Sequence, residues 1–367
     1  MDGLSNDAPR GPLSGVRLIE LAGIGPAPFG AMMLADHGAE VIRVDRPGAP
    51  STPRDPLLRS RKSIMLDLKS RADCTRLRQL VCEADGIIEG FRPGVMERLG
   101  IGPDILLKDN PKLVYGRMTG WGQDGPDAHL AGHDINYIAV NGTLAALGRA
   151  GEKPTPPINL VGDFGGGGMF LAFGMVAALL AVRNGSPGQV IDCAMVDGSA
   201  LLMSMMWGFR AAGDWIDERG ANLLDTGAPF YDTYVTADGL YVALGAIEPQ
   251  FYARFRQALA LDDCVELDRQ DDPSMWPRQK QLIGDAIRAK TRGELEALLG
   301  GSDACFAPVL GFDEALTHPH NVARGTFVEI AGVVQPAPAP RYSVTPCARP
   351  TAPREIKIEE ACRHHCE

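Results

Sequence analysis

The sequence predicts an α/β protein in two parts: a doubly wound sheet, then a smaller α+β domain. Three observations predict it. Short apolar runs take turns with helical patterns from Val16 to Met118. The character changes at Gly227, where PFYDTYVTADGLYVALGAI alternates about an Ala-Asp-Gly turn. With 367 residues, 45% apolar and 22% charged, the chain has room for two domains and an ordinary globular composition.

Each element follows from its residues. VRLIELAG (Val16 to Gly23) reads as a buried strand, and GIGPAPFGAMMLADHG turns and starts a helix. EVIRVDRPG (Glu40 to Gly48) is a second strand that ends in charged residues. SIMLD (Ser63 to Asp67), a helix near Ser70 to Ala84, GIIEGF (Gly86 to Phe91) and KLVYGRM (Lys112 to Met118) continue the alternation. Asn110-Pro111 and Gly125-Pro126 mark loops. Two apolar helical segments follow, Met169 to Arg183 and Met195 to Phe209, with a loop and a short strand between them. The apolar run Met169 to Val182 is short of the roughly 20 residues that cross a bilayer. It reads as a helix buried on all sides, and no membrane span is expected. In the second part the expected elements are a hairpin, helices near Gln250 to Leu261, Trp276 to Thr291 and Arg292 to Leu299, and a strand at Ala304 to Leu310. The expected boundaries are 1–226, 227–320 and 321–367. The last segment, proline-rich from Val334 to Pro340, has no core of its own and is expected to run back across the first domain.

Charge and cysteines narrow the function. A net charge of −10 argues against a general nucleic-acid binder. From Val41 to Arg98, however, twelve Lys/Arg face eight Asp/Glu. That excess fits a solvated basic face or a site for a small polyanion. The first residues, MDGLSNDAPRGPLSG, lack a charged-then-apolar signal pattern. The eight cysteines show no paired framework, so reduced thiols in a cytoplasm are expected. Cys362, His364, His365 and Cys366 resemble a metal cluster but lack a second pair of ligands, and no metal is expected there.

The chemistry concentrates between Ala131 and Met169. His133 and Asp134 stand at the head of this stretch, and Asp163 stands just before the glycines Gly165 to Gly168. Imidazole and carboxylate are the side chains suited to moving protons near neutral pH. A glycine run brings bare N–H groups near a ligand, or lets helices pack closely. Either residue alone has a plainer reading: His133 as an exposed histidine, Asp163 as a helix cap. GIGPAPFG looks like a dinucleotide loop, with Asp45 about twenty residues on. Its glycine spacing is wrong, and Pro26 and Pro28 lack the N–H groups such a loop offers to phosphate. A tight turn is the commoner reason for those glycines. Arg46 ends a strand, where a phosphate-binding arginine belongs; Lys69, Arg92 and Arg98 follow the same logic. Glu248 precedes a proline at a helix start and reads as a loop acid or as an orienter of an imidazole.

Longer motifs carry a resemblance. GPLSGVRLIELAGIGP, VIRVDRP, RMTGWGQ, AGHDINYI, NLVGDFGGG, AMVDGS, GAIEPQFY and DACFAPVL together resemble the bacterial α-methylacyl-CoA racemases of the family III CoA-transferase superfamily. The likeness leaves out the residues before Gly11 and those after about Ala352. It implies a Rossmann-like large domain with a small domain. It also implies an interlocked homodimer whose active site lies between the large domain of one chain and the small domain of the other. His133 and Asp163 would be the two catalytic bases, and Glu248, from the partner chain, would bond the histidine. Coenzyme A contacts would be Ile24, Arg46, Leu66, Asp67, Leu68, Lys69, Gly90, Phe91, Arg92, Arg98, Gly132, Asp134 and Tyr137. The coenzyme enters as part of the acyl-CoA substrate, and no separate cofactor is implied.

The implied chemistry agrees with the residues. Racemising a 2-methylacyl thioester removes the α-proton on one face and returns one on the other, which needs two bases. The intermediate is an enolate, and N–H groups near Asp163 to Gly168 are expected to stabilise it. Met203, Met205, Met206 and Trp207 are candidates for an acyl surface or for plain core. A family III CoA-transferase, with Asp163 as the nucleophile of an acyl anhydride, is the nearest rival. A non-catalytic acyl-CoA-binding protein and a nicotinamide dehydrogenase are more distant.

Overall fold

The computed structural model describes residues 11–49 and 52–362. By the packing of its backbone, the chain forms two compact units. The first is 1–141, 157–203 and 325–367; the second is 142–156 and 204–324. The second unit therefore begins at 204 rather than 227 and also takes in 142–156.

In the first unit the elements run in order: β1 (Arg17–Leu21), α1 (Pro26–Asp36), β2 (Glu40–Asp45), β3 (Arg61–Met65), α2 (Arg71–Cys82), β4 (Gly86–Glu89). Then come α3 (Val95–Arg98), α4 (Pro103–Asp109), β5 (Val114–Thr119) and α5 (Asp134–Val140). A π-helix (Leu160–Met169) continues directly into α6 (Phe170–Arg183), and β6 (Gln189–Ala194) and α7 (Met195–Leu202) follow.

In the second unit, α8 (Ser204–Ala212) precedes a three-stranded antiparallel sheet of β7 (Tyr231–Val235), β8 (Tyr241–Gly245) and β9 (Phe306–Pro308). Helices α9 (Pro249–Ala258), α10 (Trp276–Arg288) and α11 (Arg292–Leu299) share its core through Phe230, Tyr252, Phe255, Trp276 and Ile283. Short helices α12 (Phe312–Thr317) and α13 (Pro319–Arg324) end the unit.

The chain then returns to the first unit with a hairpin, β10 (Phe327–Ile330) and β11 (Val333–Pro336), and with β12 (Arg354–Glu355) and α14 (Ile358–Ala361). The last segment joins the sheet itself: β12 pairs in parallel with β3.

The seven-stranded sheet has the order β12-β3-β2-β1-β4-β5-β6, and every pairing in it is parallel. The order reverses at β1 and β4. In an open parallel sheet a ligand crevice forms there, beyond the carboxyl ends of the strands. All five residues of β1 are buried, the charged Arg17 and Glu20 among them. Successive residues serve opposite faces: Leu18 joins the core under α1 and α6, and Ile19 joins the core under α2 and α4. The polar exceptions are paired. Glu20 accepts from Arg43 at 2.6 Å and from Arg61 at 2.9 Å.

The helix through Met169–Arg183 differs from expectation in two ways. Its helical path begins at Leu160, so by length and composition this 24-residue stretch would suffice to cross a membrane. Nor is it buried on all sides. Leu171, Ala172, Met175, Ala178 and Leu179 are buried, whereas Phe173, Val176 and Leu180 are exposed. One face packs on the sheet, touching β5 and β6. The expected helix Met195 to Phe209 is two helices, α7 and α8, broken at Met203.

Candidate active site

Asp163 sits one turn inside the π-helix, at the start of the long apolar helical path. His133 is the N-cap of α5. The backbone there is held reciprocally: the His133 N–H donates to Asn136 Oδ1 at 3.0 Å, and the Asn136 N–H donates to the His133 carbonyl at 2.8 Å. The His133 ring is exposed.

Asp134 ties the two helix starts together. Its Oδ1 accepts the Asp163 N–H at 2.7 Å, and Gly162 donates its N–H to the same carboxylate. Asp134 is buried, 5% exposed. Burial pushes its carboxyl above the usual aspartate range, the charge of Asp163 adds to this, and the two N–H donors act against it. His133, one residue earlier, and Asp163 thus stand at two helix starts that the Asp134 side chain joins.

Three more residues close around Asp163. Asn159 Nδ2 donates to its Oδ2 at 3.0 Å. The Tyr137 phenol is pushed up by burial and by the Asp163 charge, with Arg92 opposing. Tyr137 packs edge-on against Trp121 with centroids 4.8 Å apart. Gly25 follows β1 at φ 67 and ψ −118, a conformation that only glycine adopts readily. A Cβ there would stand 3.1 Å from Asp163 Oδ2. Sequence reasoning left Gly25 as a turn residue. Its positive φ next to a carboxylate is a fact of tertiary structure, and the one local trace of it is the glycine before Pro26 at the helix start.

Three glycines of the run serve close helix packing. A Cβ at Gly166 would overlap the backbone of Ser199, and one at Gly198 would overlap the Gly166 carbonyl. A Cβ at Gly167 would meet Pro26 at 2.8 Å, and one at Gly168 would meet the Pro26 carbonyl at 2.6 Å. These glycines let the π-helix cross α7 and α1 at backbone contact. The expectation that N–H groups from Asp163 to Gly168 serve an enolate is corrected in its first member, since Asp134 already takes the Asp163 N–H.

A cleft of about 810 Å³ opens beside this cluster in the same unit. Of the residues expected to touch coenzyme A, it gathers Ile24, Arg46, Leu66, Asp67, Leu68, Lys69 and Phe91. Gly25 lines it too, so one residue faces both the cleft and Asp163. Gly90, Arg92, Arg98, Gly132, Asp134 and Tyr137 are outside its lining. Gly90 to Arg92 follow β4, and Arg98 ends α3.

Ion pairing sorts the basic segment. Arg43, Arg59, Arg61, Lys62, Arg76 and Arg78 are paired within the protein, with Glu20, Asp36, Glu20, Glu40, Asp73 and Asp109. Arg46, Arg54, Lys69, Arg71, Arg92 and Arg98 form no ion pair among the described residues, and the four cations expected to meet the coenzyme are among these six. Glu89 and Arg117 brace the turn after β4: Glu89 accepts the Phe91 N–H at 2.7 Å and Arg117 Nε at 3.0 Å. Arg117 also reaches Glu97 of α3 at 2.8 Å.

Glu248 lies in the second unit as the N-cap of α9, with Pro249 in the first turn. Its side chain is exposed, and its charge helps to raise the Cys305 thiol, after burial. Of the acyl-surface candidates, Met205 and Trp207 are exposed on α8. They are not core of this chain. Among the described residues no cluster of His, Cys, Asp and Glu is suited to a metal. Cys362 is described, whereas His364, His365 and Cys366 lie outside the described residues.

Comparison with known proteins places this arrangement. The CoA-transferase family III model matches residues 13–355. The chain belongs to CoA-transferase family III. It is 48% identical over 349 residues to the α-methylacyl-CoA racemase of Mus musculus, covering 95% of this chain and 91% of that one. To the Homo sapiens α-methylacyl-CoA racemase it is 46% identical over the same coverage. The crystal structure of a CAIB/BAIF family protein from Brucella suis superposes with a TM-score of 0.80 at 23% identity, covering 96% of this chain and 98% of that one. That last likeness bears on the fold alone.

Proposed function

We propose that this protein is an α-methylacyl-CoA racemase, interconverting (R)- and (S)-2-methylacyl-CoA thioesters by two-base proton transfer. The observation that carries the reading is the Asp134 link, which holds His133 and Asp163 at two adjoining helix starts beside a cleft with unpaired cations. One base takes the α-proton, and the other, already protonated, delivers a proton to the opposite face. An exposed imidazole exchanges its proton with solvent, and a carboxylate held by Asn159 keeps its orientation through the cycle. The enolate forms where two helix dipoles present their positive ends.

The working form in this reading is an interlocked homodimer, with Glu248 of the partner subunit bonding the His133 imidazole. The apolar stripe Phe173, Val176 and Leu180 and the exposed α8 residues Met205 and Trp207 support it, because a second copy of the chain would cover them. Coenzyme A occupies the cleft as part of the substrate, and no further cofactor takes part. The setting is the cytoplasm, in the metabolism of methyl-branched acyl chains.

The test is incubation of one 2-methylacyl-CoA enantiomer in heavy water. Deuterium entering at the α-carbon, with loss of optical purity and no second acid present, is expected. Transfer of coenzyme A to an added carboxylate without α-exchange would replace this reading by the transferase. His133→Ala and Asp163→Ala should each reduce exchange by about 10²–10⁴-fold with coenzyme affinity retained. Retained exchange in either variant would sink the two-base assignment.

A further inference from the structure

The cleft has a wall that the coenzyme-binding motifs do not supply. Pro353, Arg354 and Glu355 line it, after the last of those motifs and at the very end of the family match. We infer that Arg354, carried on the last strand of the sheet, is a phosphate ligand for the coenzyme A moiety. The inference rests on the reading that coenzyme A occupies this cleft.

Three observations carry it. First, Arg354 forms no ion pair among the described residues, although it stands on a cleft lined by several acids. Those acids are mostly engaged: Asp45 holds Arg43 at 3.1 Å, Asp55 caps Leu57 at 3.0 Å, and Asp67 accepts the Lys69 N–H at 3.0 Å. Arg46, Lys69 and Arg354 are cations of the lining that no carboxylate pairs among the described residues. A phosphate takes such an unpaired guanidinium in bidentate geometry.

Second, Arg354 is held in place before any ligand arrives. The Ser60 N–H donates to the Thr351 carbonyl at 2.8 Å, and the Ile356 N–H donates to the Ser63 carbonyl at 2.9 Å. Ile356 and Ala361 are buried in the core under α2, and Arg17 donates to the Ala361 carbonyl. The backbone on both sides of Arg354 is therefore fixed, so less ordering entropy is lost on binding.

Third, its position suits the far end of a long substrate. The strand order puts β12 three intervals from β1, a lateral separation of about 14 Å at about 4.8 Å per strand. The loop after β1 carries Gly25 against Asp163. A substrate reacting at Asp163 and reaching Arg354 must extend across the sheet ends, with its reactive acyl group at one end and its charge at the other. An acyl-CoA thioester has that layout.

The experiment compares kcat/KM for a 2-methylacyl-CoA and for the matching pantetheine thioester, which lacks the phosphates. It uses the full chain and the variants R354A, R354K and R46A. The CoA-to-pantetheine ratio should fall about tenfold in R354A, with partial recovery in R354K, and should fall in R46A as well. The 3′-dephospho-CoA thioester assigns the contact. A loss abolished with it marks the 3′-phosphate, and a loss that persists marks the pyrophosphate. An unchanged ratio in R354A beside a lowered one in R46A would overturn the inference and leave the cleft as the coenzyme site. Unchanged ratios in both would remove coenzyme A from the cleft altogether.

Discussion

Removing the Asp134 carboxylate tests whether one buried acceptor aligns the reactive groups. In Asp134→Ala the N–H groups of Gly162 and Asp163 lose their partner, the second of them at 2.7 Å. A buried donor left unsatisfied costs about 1–3 kcal/mol, so two cost roughly 2–4 kcal/mol, allowing for some rehydration. Urea unfolding should show that loss. The α-proton exchange rate should fall further than the stability alone explains, because Asp163 rides on the same turn. A displacement worth about 1.4–2.7 kcal/mol in the transition state is roughly ten- to a hundredfold in rate.

Asp134→Asn separates acceptor from charge. It keeps an oxygen for both N–H groups and removes a charge that burial opposes. Its stability should lie within about 1 kcal/mol of the parent. The pH dependence has a definite sign. The folded-state pKa is raised above the unfolded one, so the folded protein binds the extra proton in the interval between them. The Asp134 contribution to stability is therefore most favourable below the unfolded value and declines as pH rises to the folded value. Relative to Asp134→Asn, the parent should lose stability across that interval. If Asp134→Ala exchanges protons and unfolds like the parent, the alignment argument fails. If Asp134→Asn is as damaging as Asp134→Ala, charge and not hydrogen-bond acceptance is what matters.

Three other outcomes can be checked. Arg46→Ala should weaken coenzyme A binding by about 1–3 kcal/mol, the size of a lost charge-assisted contact; calorimetric titration that finds no change removes Arg46 from the site. Gly198→Ala drives a methyl group into the Gly166 carbonyl, and thermal denaturation should report a loss of at least about 1–3 kcal/mol. An unchanged melting temperature would mean the helix crossing is loose. Arg117→Met leaves Glu89 buried at 0% exposure without its cation. The cost should be about 3–5 kcal/mol, and Glu89→Gln on the same chain should recover part of it; no recovery would show that Arg117 acts through packing.

The sheet was legible because both of its faces are covered. β1, β4 and β5 are buried at every position, and their apolar residues mark them although Arg17, Glu20, Glu89 and Arg117 are buried charges within them. The division into units was not legible in the same way. Residues 142–156 join the second unit through contacts distant in the chain, Arg149 to Asp232 and Arg219 to the Ala145 carbonyl. Nothing local announces such pairings. The break at Met203 was missed because Met205 and Trp207 are apolar yet exposed, and composition alone does not separate core from covered surface. The catalytic candidates stood out by residue type, but their link through Asp134 did not. A buried aspartate after a histidine looks the same in sequence as an exposed one.

The basic segment shows what structure adds to a charge count. Twelve cations against eight acids suggest a polyanion site without saying which cations form it. Pairing decides. Arg43 and Arg61 share Glu20 inside the sheet, and Arg59 meets Asp36 with 4% of its side chain exposed. Withdrawing such a guanidinium to hold a phosphate would strand a carboxylate in the core, at a cost of several kcal/mol. Arg46 and Lys69 have no such obligation, and both follow the ends of strands where the chain leaves the sheet. The distinction is energetic and not positional: a cation binds an external anion only if the fold has not already used its charge. Arg354 meets that condition as well: it lines the cleft and forms no ion pair among the described residues.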